Sequence, residues 1–290
     1  MKTRPKQIVI DKDAFIAFSG RRFEELCSLA QEHVLLLSDA LLYECATATK
    51  QRPGTLLVKC TRLIQRGGYV CPGNHAHFVE WEIEHSSPYP RSLMDIRATK
   101  AVRDGQVRPE EMANSRVAQE VSESRKALAA HMLADQSAQT KEALAIEHPE
   151  VGNAIRSSQK SRSGRFREIV DTVDRSDISG TAMCRFGDRV SDANQFCTSS
   201  DWIAWHFIRL VDALTLEHYF LRETGVPGNR QVEHDLLDME YVLLLSRADG
   251  IITRDKKLVE PLARAAFPEK DVFSSLEEVP ESYRCDWAEG

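Results

Sequence analysis

IVIDKDAFIAF (residues 8–18) decides how the chain is read. Its first three residues, Ile8, Val9 and Ile10, are apolar and β-branched, and Asp11 follows them. A continuous run of this kind, ended by a charged turn, predicts a short strand buried on both faces. Phe15, Phe18, Phe23, Leu26 and Leu29 then recur at helical spacing over residues 12–30. HVLLLSD (33–39) predicts a second buried strand ending at Ser38, and ALLYECATATK (40–50) a helix after it. Strand–helix–strand–helix order predicts a mainly parallel sheet covered by helices, with functional groups gathered at the carboxyl ends of the strands. Asp11 and Ser38 both fall at such ends.

The far end of the chain repeats this grammar. HDLLDMEYVLLLSRA (234–248) reads as a helix, DGIITRD (249–255) as a buried strand closing in a carboxylate, and KKLVEPLARAAF (256–267) as a short helix. VFSSLEEVP (272–280) reads as an edge strand with a trailing turn. The middle differs. Residues 99–147 are polar, Ala-rich and without aromatics, which predicts long exposed helices, and residues 153–190 are rich in Ser, Arg, Gly and Asp, which predicts loops. Residues 201–223 form one helix with a wide apolar face, suited to burial or to an interface with a partner or a second copy. The expectation is an α/β core made from residues 1–70 and 225–290, interrupted by a mostly α-helical insertion over 71–224.

The 290 residues carry a formal net charge of −6, so no global basic field marks a protein that coats nucleic acid. Seven cysteines without a C-x-x-C pair read as free thiols of a reducing compartment. The start, MKTRPKQIVI, lacks the apolar stretch of a signal peptide, and no apolar run reaches the roughly 20 residues of a membrane span. A soluble cytoplasmic protein is expected.

Four acids fall at strand ends or on the helices beside them: Asp11, Glu44, Asp238 and Asp255. Carboxylates converging in this way suit hard divalent cations. IVIDKD, LLLSDALLYE, DMEYVLLL and IITRD, in this order, resemble the motifs of the PIN-domain nucleases. The resemblance spans roughly residues 5–70 and 230–280. It implies a PIN-like three-layer fold, with Asp11, Glu44, Asp238 and Asp255 as the acidic, metal-holding catalytic set. Asp13 takes the neighbouring position, while Ser38 and Thr253 orient the carboxylates. It further implies Mg²⁺ or Mn²⁺ and hydrolysis of phosphodiester bonds, RNA before DNA, in RNA processing, a toxin-like role or defence. Asp235 lies one turn before Asp238 and competes for its role; the spacing to IITRD favours Asp238. The separation of Glu44 from Asp238, 194 positions (238 − 44), departs from compact members of the family and requires the insertion.

Other readings compete. DKDAF also resembles the opening of haloacid-dehalogenase-type phosphatases, with Asp11 as nucleophile, Asp13 as acid/base, and Ser38 and Lys59 as later motifs; IITRDKK does not fit their last one. CPGNHAH (71–77) gathers Cys71, His75 and His77, with His85 beyond, but lacks a fourth ligand at zinc spacing and reads as a turn with surface histidines. NAIRSSQKSRSGRFRE (153–168) offers Arg156, Lys160, Arg162, Arg165 and Arg167 for phosphate contact, and Arg97, Lys100 and Arg103 form a second basic group. These segments would let an acidic protein hold RNA in a salt-dependent way. The non-enzymatic alternative is a catalytically inactive PIN-like scaffold that binds RNA or a protein through the insertion.

Overall fold

In the computed structural model the run IVI belongs to the middle strand of a five-stranded, all-parallel sheet. The structure describes residues 4–48, 53–113, 116–134, 162–190, 196–221 and 229–285. The sheet has the order β3-β2-β1-β4-β5, where β1 is Gln7–Ile10, β2 Val34–Ser38, β3 Tyr69–Cys71, β4 Gly250–Ile252 and β5 Asp271–Phe273. β1 pairs with β2 through Ile8↔Leu35 and with β4 through Val9↔Ile251. Every residue of β1, β2 and β4 is buried, which is why these segments are continuously apolar rather than alternating.

Chain order turns around at β1: β2 and β3 follow on one side, β4 and β5 on the other. In open parallel sheets such a reversal leaves a crevice at the carboxyl ends of the strands. The fold itself thus points to the β1–β4 edge, where Asp11 N–H continues the ladder by donating to Ile252 O at 3.1 Å.

The periodic stretch 12–30 is two helices, α1 (Lys12–Ala17) and α2 (Arg21–Glu32). Gly20, with φ +55°, breaks them apart in a conformation that L side chains disfavour. α3 (Asp39–Thr47) and α4 (Pro53–Gln65) cross over to β3, and α5 (His75–His85) leaves it. β3 escaped the sequence reading and straddles the expected boundary at residue 70, so the sheet extends into what had been assigned to the insertion.

Beyond β3 the described part of the insertion is helical: the helices within 99–134 are exposed over much of their surface, as expected, but each buries one face. Leu128, Ala129 and Met132 of helix Arg116–Ala134 are buried. Within 153–190, residues 162–190 include the helices Arg162–Val173 and Ile178–Phe186, with Phe166, Ile169 and Val170 in the core. The Ser-, Arg-, Gly- and Asp-rich composition hid these helices: three apolar residues on one face suffice when a neighbouring helix meets them.

Helix Ile203–Leu221 runs through this layer, packing against α5, Arg162–Val173, Ile178–Phe186 and Asn229–Leu243. Its apolar face is therefore covered by the chain itself. Glu82 of α5 is fully buried and caps this helix from outside, its carboxylate accepting from Ile203 N and Ala204 N, both at 2.8 Å. Helix Arg162–Val173 packs on Val259–Ala266, and Arg116–Ala134 packs on Asn229–Leu243, joining the insertion and the sheet in one hydrophobic core. Among the described residues no helix is long and apolar enough to cross a membrane.

Candidate metal centre

Asp11 follows β1 immediately and caps α1. Its Oδ1 accepts from Ala14 N at 2.7 Å, and its Oδ2 accepts from the Thr253 hydroxyl. Burial pushes this carboxyl up to about 7; the Thr253 and Ala14 bonds pull the other way, while Asp13 and Asp238 add to the rise. Thr253 lies just past β4, fully enclosed, and its oxygen also accepts from Asp255 N at 3.0 Å. One hydroxyl thus links the ends of the two strands that flank the reversal.

Glu44 projects from α3, whose N-terminus is capped by Ser38 Oγ accepting from Leu41 N at 3.2 Å. Glu44 is buried between two donors: Lys12 Nζ pairs with Oε1, and the Tyr241 hydroxyl donates to Oε2 at 2.7 Å. Burial opposes the Lys12 charge, yet Glu44, Asp238 and Asp13 together hold its amine above the usual range.

Helix Asn229–Leu243 starts earlier than the sequence reading placed it, so Asp238 sits beyond its middle rather than near its start. Asp238 Oδ2 lies 3.0 Å from His234 Nδ1, one turn back. Burial raises the Asp238 carboxyl to about 6; His234 counters this, and Glu44 and Asp255 reinforce it. His234, held by Asp238, is pushed up to about 9. Asp235, one turn before Asp238, lies 3.1 Å from His218 Nε2 of helix Ile203–Leu221 and is not part of the group that Asp238 joins.

Glu44, His234 and Asp238 each offer one ligand atom, and the three atoms lie within 4.8 Å of one another. Of the four expected acids, two therefore converge in one group. Asp11 and Asp255 stand outside it and reach it through their fields on Asp238. Asp255 does not close the strand, which ends at Ile252. Its carboxylate accepts from Lys257 N at 2.6 Å and Leu258 N at 3.2 Å, tying down the turn before the next helix. Asp13 is exposed in the first turn of α1. The donor set fits a divalent cation: two buried carboxylates and an imidazole within common reach, with two more acids beside them.

No family model matches this chain. Neither does any curated protein or solved structure.

His234, Lys12 and Tyr241 were missed in the sequence. His234 and Asp238 stand four apart on one helix, the spacing at which two side chains share a face, so that signal was present. The link from Lys12 and Tyr241 to Glu44 exists only in three dimensions.

Lys59 serves elsewhere: its amine donates to Phe15 O and lies 4.3 Å from the Phe15 ring centre, with burial lowering it to about 8. CPGNHAH is a turn between β3 and α5 that is buried at its start, while His77 and, beyond it, His85 are exposed, as expected. Cys71 is in β3, and His75 is buried, stacked on Phe207 at 4.6 Å with Nδ1 3.0 Å from Glu240 Oε1. Arg125 Nη2 reaches the other Glu240 oxygen at 3.1 Å, giving a buried cation–carboxylate cluster one helical face away from Asp238. Arg156 and Lys160 lie outside the described residues; Arg162 opens helix Arg162–Val173, in which Arg165 is half-buried and Arg167 exposed. Arg97, Lys100 and Arg103 are exposed on helix Ile96–Arg103, Arg103 donating to Ile64 O and Gly68 O.

Thr253→Val keeps the shape and removes the hydroxyl. It leaves the Asp255 N–H without its acceptor and Asp11 without its strongest hydrogen bond. Unfolding in urea is expected to register a loss of about 1–3 kcal/mol, and an unchanged midpoint would show that the hydroxyl does not bridge the strands.

Proposed function

We propose that the chain is a PIN-like, metal-dependent nuclease that hydrolyses phosphodiester bonds, with RNA as the preferred substrate. The observation that carries this reading is the meeting of Glu44, His234 and Asp238 beside Asp11, at the crevice where the order of a parallel sheet reverses. Burial, reinforced by the neighbouring carboxylates, raises the carboxyls of Asp11 and Asp238, the state of acids gathered where a cation would stabilise their charged form.

Glu44, His234 and Asp238 would hold the ion, with Asp11 and Asp255 setting the charge around it. When bound, Mg²⁺ or Mn²⁺ supplies Lewis acidity for activating water and for balancing charge on the scissile phosphate. Tyr241 and Lys12 fix the orientation of Glu44, and Thr253 that of Asp11. Arg165 and Arg167, with the basic residues before them, are the proposed contacts to the nucleic-acid backbone, and they supply the salt dependence expected of it.

The test is Mn²⁺-dependent cleavage of end-labelled single-stranded RNA and DNA. Wild type is expected to cut RNA faster than DNA, and Asp13→Asn to retain most of the activity, since Asp13 is exposed and outside the metal group. Absence of cleavage and of Mn²⁺ binding together would sink the nuclease reading.

A second reading rests on Lys12. Its ammonium already neutralises Glu44, as in a PIN-like module that binds RNA or a protein without cutting. Binding of RNA by wild type in EDTA, with no cleavage on adding Mn²⁺, would favour it.

A further inference from the structure

The four-acid set expected at this site is made of oxygen donors alone, and Mg²⁺ would suit it as well as Mn²⁺. The structure adds a nitrogen. His234 is 56% exposed at its side chain, on the outer rim, while Asp238 beside it is 11% exposed. An imidazole at the mouth of a carboxylate pocket is reachable by an ion arriving from solvent.

We infer that His234 is a direct ligand of the ion, and that it makes the centre selective for Mn²⁺ over Mg²⁺. This rests on the metal-centre reading above and extends it to a residue the four-acid pattern does not contain.

Three observations support it. His234 Nδ1 and Asp238 Oδ2 are 3.0 Å apart, and two donors each about 2.1 Å from one ion at a right angle are separated by about 3 Å. That ion pair already holds the two donors side by side, so a turn of the exposed imidazole brings both onto one ion. The third donor, Glu44, lies within the same 4.8 Å group, on a different element, so the set closes around a point instead of lying along one helix face. The remaining oxygens around the pocket are engaged. Asp11 accepts from Ala14 and Thr253, Asp255 from the backbone of its own turn, and Glu44 from Tyr241 and Lys12. An arriving ion must compete with Lys12 for Glu44, whereas among the described residues His234 is held only by Asp238, itself a member of the same donor group.

Imidazole nitrogen binds Mn²⁺ and its transition-metal neighbours well, while Mg²⁺ holds to oxygen and to its own waters. The selectivity follows from donor type, not from pocket size. An ion that must displace Lys12 from Glu44 gains most from a donor that Lys12 does not hold.

The experiment is Mn²⁺ and Mg²⁺ binding to the metal-stripped full chain by calorimetry, with electron spin-echo spectroscopy of the Mn²⁺ form, for wild type and His234→Gln. Wild type is expected to bind Mn²⁺ more tightly than Mg²⁺ and to show nitrogen modulation of the Mn²⁺ echo. In His234→Gln the modulation is lost and Mn²⁺ binding weakens about tenfold or more, while Mg²⁺ binding changes less than about threefold. His234 is exposed enough that folding of the variant is not at issue, and a circular-dichroism melt checks it.

Mn²⁺ bound without nitrogen modulation, or equal weakening of both ions, overturns the inference and leaves the nuclease reading standing, with His234 only positioning Asp238. Failure of wild type to bind either ion overturns both.

Discussion

Asp11→Asn is expected to abolish Mn²⁺-dependent cleavage and, at pH 8, to raise the melting temperature of the metal-free protein. The two effects share one cause. The Asp11 carboxyl is held at about 7 in the fold, mainly by burial, against 3.8 as its ordinary value. An acid so raised is protonated in the folded chain while ionised in the unfolded one. The stability it lends is complete below about pH 4 and is lost as the pH climbs to about 7. Above that the folded state carries the whole cost, up to about 4 kcal/mol. Asparagine removes the charge and keeps the cap, since its oxygen still accepts from Ala14 N. Part of the gain goes to the Thr253 hydroxyl, which must turn to a new acceptor, so a rise of a few degrees is expected. The advantage should shrink steadily from pH 8 towards pH 4. Cleavage should fall by about a hundredfold or more with the lost charge. A variant that melts lower at pH 8 would refute the electrostatic account, and one that still cleaves at the wild-type rate would remove Asp11 from the site.

Arg125→Met is expected to have the largest effect on stability. Glu240 is 1% exposed and sits between His75 and Arg125, whose side chain is 8% exposed. Removing one partner leaves a buried carboxylate with its charge poorly met, at a cost of about 3–5 kcal/mol. Urea unfolding measures it. Glu240→Gln in the same chain should restore a substantial part, because the orphaned charge goes with it. A loss below about 1 kcal/mol would mean that water reaches the cluster. The consequence extends past stability: Arg125 belongs to helix Arg116–Ala134, and Glu240 to the helix that carries Asp238. This pair fastens the inserted layer to the helix that bears the metal group.

How much could be read from the residues varied with how local the cause was. β1, β2 and β4 were legible, since burial on both faces leaves continuous apolar runs between charged turns, and β5 was legible as a short edge strand. Tyr69–Cys71 was too short to stand out. Helices 162–173 and 178–186 were lost because their apolar faces are narrow and their surfaces crowded with Ser and Arg. In the site, Asp11, Glu44 and Asp238 were placed by their positions after strands and on helices. Asp255 was named but its carboxylate holds a turn, the ordinary use of Asp before a helix. The buried Glu240, His75 and Arg125 left no local trace, since a charge pair across 165 or 115 positions is chosen by packing.

The split core also sets a clock. Strand β1 needs β4 on one of its sides, and Glu44 meets Tyr241 and shares its metal group with Asp238 across some 200 positions of chain. At about 5–20 residues per second, the ribosome takes roughly 10–40 s to pass from one half of the centre to the other. Throughout that interval the nascent chain displays Asp11 and Glu44 without the partners that would let them hold an ion. On the proposed nuclease reading, the chain could not cut the message that encodes it until the last helix of the centre had been made.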